Sequence, residues 1–155
     1  MSFIATGDSS APDEEAITND GFFPDIDPVD ARLVLRLDGT VTHERLLHSL
    51  IDAIASVNGE LAKYKAAQTA AGYATLDEVP ADQLNDISIK VHRYQRAVYA
   101  LTKANLSERY RDFDSTNAGN KKADQMETPI DDLRRDARWA ISDILGIGRN
   151  TVELI

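Results

Sequence analysis

Three histidines, His43, His48 and His92, are the residues of this chain best suited by type to metal binding or proton transfer. On one helix His43 and His48 are separated by about 140° around the axis, too far round to share an ion. Glu44 and His48 stand four positions apart. Carboxylate-bridged helical metal sites instead use Glu-x-x-His, and no second set is present. Surface salt bridges or plain solvation account for all three histidines. Asp131, Asp132 and Asp136 read as an acidic answer to a helix dipole at its start. Gly146-Ile147-Gly148-Arg149 follows a helix, whereas phosphate-cradling loops precede one. Lys121-Lys122 is a pair, too small to make a DNA site alone. The chain has no cysteine, hence no disulfide, thiolate ligand or thiol nucleophile. The expectation is a non-enzymatic protein with no catalytic residue, metal or cofactor.

Composition narrows the class further. At 155 residues, 43% hydrophobic and 28% charged, the chain reads as one globular domain with its own core. No apolar run reaches the roughly 20 residues that span a bilayer, and no signal peptide is visible. The formal net charge is -9. Eight acids precede Arg32 with no Lys or Arg among them, which leaves 18 acids against 17 basic residues in the remainder. The acidity therefore belongs to an arm and the body is nearly neutral. Nucleic-acid binding by counterion release needs a basic patch, so general DNA binding is not expected.

The elements follow from periodicity and caps. Residues 1–21 are polar, acidic and aperiodic, and read as a flexible arm. Phe22, Phe23 and Ile26 end that arm where nothing local can bury them, so they dock on the body or on a neighbour. Asp27-Pro28 opens a helix whose apolar side is Val29, Leu33 and Leu37. Thr42 caps the next, running to about residue 70, with Leu46, Leu50, Ile54, Val57, Leu61 and Tyr64 inward and Gly72 as its stop. Leu76 and Val79 tuck in from a connector. The central stretch, 86–114, carries one stripe at Ile87, Val91, Tyr94, Val98 and Leu101. A second, rotated stripe holds Tyr99, Leu106, Tyr110 and Phe113. Either both serve one core, or the second covers another helix or a neighbouring subunit.

A polar loop, 115–127, leads to a last helix capped by Thr128 with Pro129 first in and Asp131 placed to reach back. Ile130, Leu133, Ala137, Ile141 and Ile144 form its core face and Gly146 ends it. Trp139 points the other way with Arg135 one turn before it, a cation able to cover the ring. That pair is either a partner anchor or is buried beneath the loop or arm. The tail, 148–155, carries Arg149 and an alternating end, Val152, Leu154 and Ile155, able to add to another chain as a strand. The fold class expected is all-α: a small bundle of three to four main helices over 22–147, with a disordered acidic arm and an extended tail.

Several short pieces, in order, carry a family resemblance. They run from Phe22-Phe-Pro-Asp-Ile-Asp-Pro28 and Asn58-Gly-Glu-Leu61 through Ala70-Ala-Gly-Tyr73, Val79-Pro-Ala-Asp82, Ser88-Ile-Lys-Val91 and Arg96-Ala-Val98. Glu108-Arg-Tyr-Arg111, Lys121-Lys-Ala-Asp124, Ile130-Asp-Asp-Leu133 and Arg135-Asp-Ala-Arg-Trp-Ala140 complete the set. From about residue 22 onward the chain resembles the head completion proteins of contractile-tailed temperate phages, the phage L-protein family. The resemblance implies a head–tail connector that assembles in the host cytoplasm and resides in the virion neck. It would join the portal protein after DNA packaging, stabilise the filled head and offer a surface to a tail completion or terminator protein. By fold analogy it implies a self-associated ring of about twelve subunits, with heterologous lateral contacts and packaged DNA passing without specific binding. No membrane is implied. Phe22, Phe23, Ile26, Tyr99, Leu106, Tyr110, Lys121, Lys122, Arg135, Trp139, Arg149, Val152, Leu154 and Ile155 are then the candidate interface. The alternative is a packaging accessory factor contacting nucleic acid through Lys121, Lys122, Arg134 and Arg138.

Overall fold

A computed structural model describes residues 14–111 and 129–148, with the side chains of Tyr110 and Arg111 outside that description. The protein is mainly helical: α1 (Pro28–Val34), α2 (His43–Glu60), α3 (Ala62–Ala70), α4 (Ile89–Arg111) and α5 (Ile130–Leu145). A two-stranded hairpin, β1 (Gln83–Leu84) and β2 (Ile87–Ser88), precedes α4.

The locally encoded boundaries form as the residues dictate. Asp27 accepts from the Val29 amide at 2.8 Å, with Pro28 as the first helical residue. Thr42 accepts from the Arg45 amide at the start of α2. Gly72, at φ +100°, follows α3, and the amides of Gly72 and Tyr73 return to the Thr69 and Gln68 carbonyls. That pattern closes a helix only where one residue can be left-handed, which glycine does without a Cβ penalty. Gly146 does the same for α5 at φ +69°. There the helix begins at Ile130 with Pro129 as the cap and not as its first residue. Thr128, the expected cap and the residue toward which Asp131 is expected to reach, lies outside the described residues.

Three expectations are corrected. The single helix expected over 42–70 breaks at Leu61, whose backbone (φ -92°, ψ 4°) leaves the helical region just after the weak helix-former Gly59. The stretch beginning at residue 86 is not yet helix: Asn85 and Asp86 take φ +53° and +59°, the pair of left-handed residues a tight hairpin turn requires. Ile87 therefore lies in β2 and is exposed instead of opening the core stripe. In α1 the buried residues are Pro28 and Ala31, while Val29, Leu33 and Val34 face out. Seven residues make two turns, and the docking of Arg32 onto the Val41 carbonyl (2.8 Å) and Glu14 (2.8 Å) sets which side turns inward.

Helix α4 is the axis of the fold. From Val91 to Ser107 Arg96 alone is exposed, so the described part of both apolar stripes serves one core: Tyr94 of the first meets α2, Tyr99 of the second meets α1, and a third side of the helix packs on α5. Cross-links show the directions. Asn58 meets Tyr94 and Ser49 meets Thr102, so α2 runs antiparallel to α4. Arg93 meets the Asp143 carbonyl and Glu108 meets Arg134, so α5 is antiparallel too. Buried Ala97, Ala100 and Ala104 and, on α5, Ala137 and Ala140 are small enough to bring those two helices close.

Residues 14–21, expected as part of a flexible arm, are packed on the body, whereas 1–13 lie outside the described residues. Ile17 and Ile26 exchange backbone hydrogen bonds at 2.7 and 3.1 Å. Asn19 donates to the Tyr94 hydroxyl (2.8 Å), Tyr94 donates to Asn58 (2.6 Å), and Asn58 donates back to Asn19 (2.8 Å). Phe23 stacks on the Tyr94 ring at 4.8 Å, and Phe22 meets Phe23 edge-on at 5.0 Å. Burial pushes the Tyr94 phenol above its ordinary value, so it remains a donor throughout the working pH range. Tyr94→Phe leaves the two asparagines short of a partner inside the protein and is expected to cost about 1–3 kcal/mol. Urea unfolding would measure it. Combining it with Asn58→Ala should cost clearly less than the two single losses added together.

Candidate functional site

The sequence-derived interface residues divide sharply by burial. Phe22, Phe23, Ile26, Tyr99 and Leu106 are all core residues, so they are not an outward surface of this chain. Phe22, Phe23 and Ile26 are covered because the N-terminal segment folds onto Tyr94 of α4 and Asn58 of α2, and Tyr99 because α1 packs beside it. Tyr99 is further committed by its hydroxyl, which donates to Asp30 at 2.6 Å. Burial and that neighbouring carboxylate hold its phenol protonated. Tyr110, Lys121, Lys122, Arg149, Val152, Leu154 and Ile155 fall outside the described side chains.

Arg135 and Trp139 do come together as their one-turn spacing requires. The guanidinium lies 4.6 Å from the ring centroid, on the side of α5 away from α4. Asp132 at 2.6 Å and Asp136 at 3.6 Å hold the same guanidinium. Asp136 also faces Arg96 of α4 at 3.7 Å. The acidic cluster at the start of α5 is therefore a clamp on Arg135 as well as a dipole partner. Trp139 is half-buried.

The three histidines, Arg32 and Arg134 have structural partners, whereas Arg138 is exposed. His43 and Arg32 both contact Oε1 of the nearly buried Glu14, at 3.1 and 2.8 Å. His48 faces Asp52 at 4.0 Å, and His92 contacts the Leu84 carbonyl at 3.0 Å. Arg134, one of the residues weighed for nucleic acid, is paired with Glu108 at 2.5 Å. Among the described residues no three His, Cys, Asp or Glu cluster as metal ligands, and no helix is long and apolar enough to cross a membrane.

What residue pattern did not reveal is where apolar side chains remain outside. Val29, Leu33 and Val34 form one exposed set on α1. Leu84 and Ile87 of the hairpin, with Leu145 and Ile147 at the end of α5, form another. Lys90 and Arg93 of α4 bond the Ile144 and Asp143 carbonyls, which brings the hairpin and the α5 terminus to one end of the molecule. α1 belongs to the other half, beside the start of α2 and the middle of α4. The only sequence signal for either set is an apolar residue in a turn or on a very short helix, and that signal is weak because isolated surface leucines are common. Two open grooves accompany them. One of about 520 Å³ runs along α3, and one of about 440 Å³ lies between Asp52, Ser56, Asn105 and Arg109.

The exposed features among the described residues are thus two apolar sets, two open grooves and the Arg135–Trp139 pair. The family model for the phage head completion protein (GPL) matches residues 17–155. The chain belongs to the phage head completion protein family. It is 46% identical over 145 residues to the head completion/stabilization protein of Escherichia phage P2, across 94% of this chain and 86% of that protein. No solved structure matches. The match begins at Ile17, where the described N-terminal segment starts its bridge to Ile26, so the family's common region includes that packed segment. Head completion in virion assembly is the role that membership carries.

Glu14 allows a pH test of the N-terminal segment that makes this protein one unit. The Arg32 hydrogen bond, opposed by burial and aided by His43, holds its carboxyl below the usual value of 4.5. A lowered folded-state value means the carboxylate stabilises the fold above about pH 4.5, and that contribution is lost as pH falls through the lower value. Glu14→Gln is expected to cost about 1–3 kcal/mol near neutrality. Below pH 4.5 its stability should fall less steeply than that of the native chain. Thermal unfolding across pH 3–7, a window of about four units around the carboxylate range, measures both.

Proposed function

We propose that this head completion protein acts as a structural, non-enzymatic connector at the portal vertex. It binds the portal protein after packaging, stabilises the DNA-filled head and presents a surface to a tail completion or terminator protein. Assembly takes place in the host cytoplasm, the product is the virion neck, and copies form a ring of about twelve on the portal. The carrying observation is the family match over 17–155, supported by the head completion/stabilization protein of Escherichia phage P2 at 46% identity. The surface of the chain fits the reading: two separate exposed apolar sets lie in different halves of one small helical body, and a ring subunit needs more than one contact face. Trp139 under Arg135 is a further anchor for a partner, since aromatic residues and arginine dominate contact energies. The excess of acids keeps packaged DNA sliding past without specific binding.

Light scattering behind size exclusion tests this directly, with the purified chain alone and mixed with its cognate portal ring. Co-elution at a fixed stoichiometry with the portal is the expected result. A chain that elutes unchanged beside the portal would overturn the connector reading. Trp139 supplies an independent signal as the single tryptophan: its emission should change on portal binding if α5 is at the contact.

A further inference from the structure

Helix α3 is an orphan by the rules that make helices stable. It has nine residues, none of them buried, and no side-chain cap at its start. Isolated helices of that length are marginal in water, and tertiary burial of one face usually carries them. Tyr64, whose hydroxyl accepts from Lys90 at 2.9 Å, and Lys65, bonded to Asp20 at 2.8 Å, tether it to the body. About 160° round from Tyr64, the face bearing Ala62, Ala66, Thr69 and Ala70, with Lys65 at its edge, lines the open groove of about 520 Å³. Helix α1 has the opposite defect. Its inward side is satisfied, while Leu33 is 72% and Val34 58% exposed, with Val29 beside them. One element lacks a ridge and the other projects one.

Charge and position pair them across two molecules. α1 is entered through Asp27 and Asp30 and its one cation, Arg32, is paired with Glu14, whereas α3 carries no acid and, with Lys65 committed to Asp20, presents Lys63. Within one chain they cannot meet. α1 is fastened beside the start of α2, through Arg32 to the Val41 carbonyl, and α3 follows its end. The eighteen residues between span about 27 Å. Two different, complementary surfaces on one subunit make a head-to-tail contact, the kind that closes into a ring.

We propose that α1 and α3 are the two halves of the contact between copies of this chain, with Leu33 of one copy seated in the alanine-lined groove of the next. The proposal rests on the connector reading for its setting, the ring in the head, and its test separates the two. Because the chain has no cysteine, thiols can be placed at will. Leu33→Cys and Ala66→Cys alter exposed positions and leave the core untouched. Heads assembled with the Leu33→Cys/Ala66→Cys chain, mildly oxidised, should yield a ladder of disulfide-linked multimers. The two single variants mixed as concentrated purified protein should yield mixed dimers, and neither variant alone should cross-link. Adding Lys63→Glu should lower the yield several-fold. Normal incorporation into heads without a ladder would sink the α1–α3 contact and leave the connector reading standing. Failure to incorporate would count against the connector reading, and the mixed-dimer experiment would then decide the contact by itself. Two further outcomes overturn the proposal. One is Leu33→Cys cross-linking to itself, which means a symmetric dimer. The other is a thiol at position 33 that reacts faster once residues 1–13 are deleted, which means the chain's own N-terminus covers α1.

Discussion

Everything in this fold leans on the Tyr94 side chain. Its ring is stacked on Phe23 and its hydroxyl closes a three-membered hydrogen-bond ring with Asn19 and Asn58. A phenol in the interior is tolerable only when its polar end is satisfied, and here the N-terminal segment and α2 each supply one partner. The same side chain thus ties three stretches far apart in sequence. Phe22, Phe23 and Ile26 are buried as a consequence, each contributing about 1.5–3 kcal/mol of apolar burial. The acids of that segment also acquire partners. Asp20 is raised by its own burial, yet Lys65 and the amides of Phe23 and Phe22 more than offset this and hold it ionised.

A helix buried on nearly every side, as α4 is, constrains what the remainder can do. Its small residues toward α5 and its large ones toward α2 use up the apolar stripes that a ring contact might have drawn on. Contact surfaces must therefore lie at the periphery, on elements too short to have a core of their own. α1, α3, the hairpin and the end of α5 fit that description, and among the described residues the large exposed apolar side chains lie on α1, the hairpin and the end of α5, with Ile51 of α2 the exception. A connector built this way keeps a rigid centre and leaves its outer elements for assembly.

The residues that carry the family resemblance are largely those that hold the clasp and the turns. Phe22, Phe23 and Ile26 are core, Asp27-Pro28 is a cap, Asn58 bonds Tyr94, and Val79 is the buried anchor of the connector. The family signature therefore reports a shared way of folding more than a shared contact patch. Family membership was legible in the sequence while the outward-facing site was not. Leu33 and Val34 belong to no quoted piece of the signature, yet they are among the most exposed apolar residues.

Local chemistry sufficed for the caps at Asp27, Thr42, Gly72 and Gly146 and for the core faces of α2 and α5, because a cap or a long single stripe depends on neighbours within a few turns. It also sufficed for the meeting of Arg135 with Trp139, one helical turn apart. Tertiary structure decided the rest. An acidic, aperiodic segment has the composition of a disordered arm, but Asn58, Lys65, Tyr94 and the Arg32–His43 pair are partners that no window of sequence contains. A seven-residue helix offers nearly as much apolar surface on two sides, so its inward face is set by what it meets. Two-residue strands leave no alternation to read. The division follows from range: interactions within about four residues are written in the order of the chain, and those across it exist only once the chain is folded.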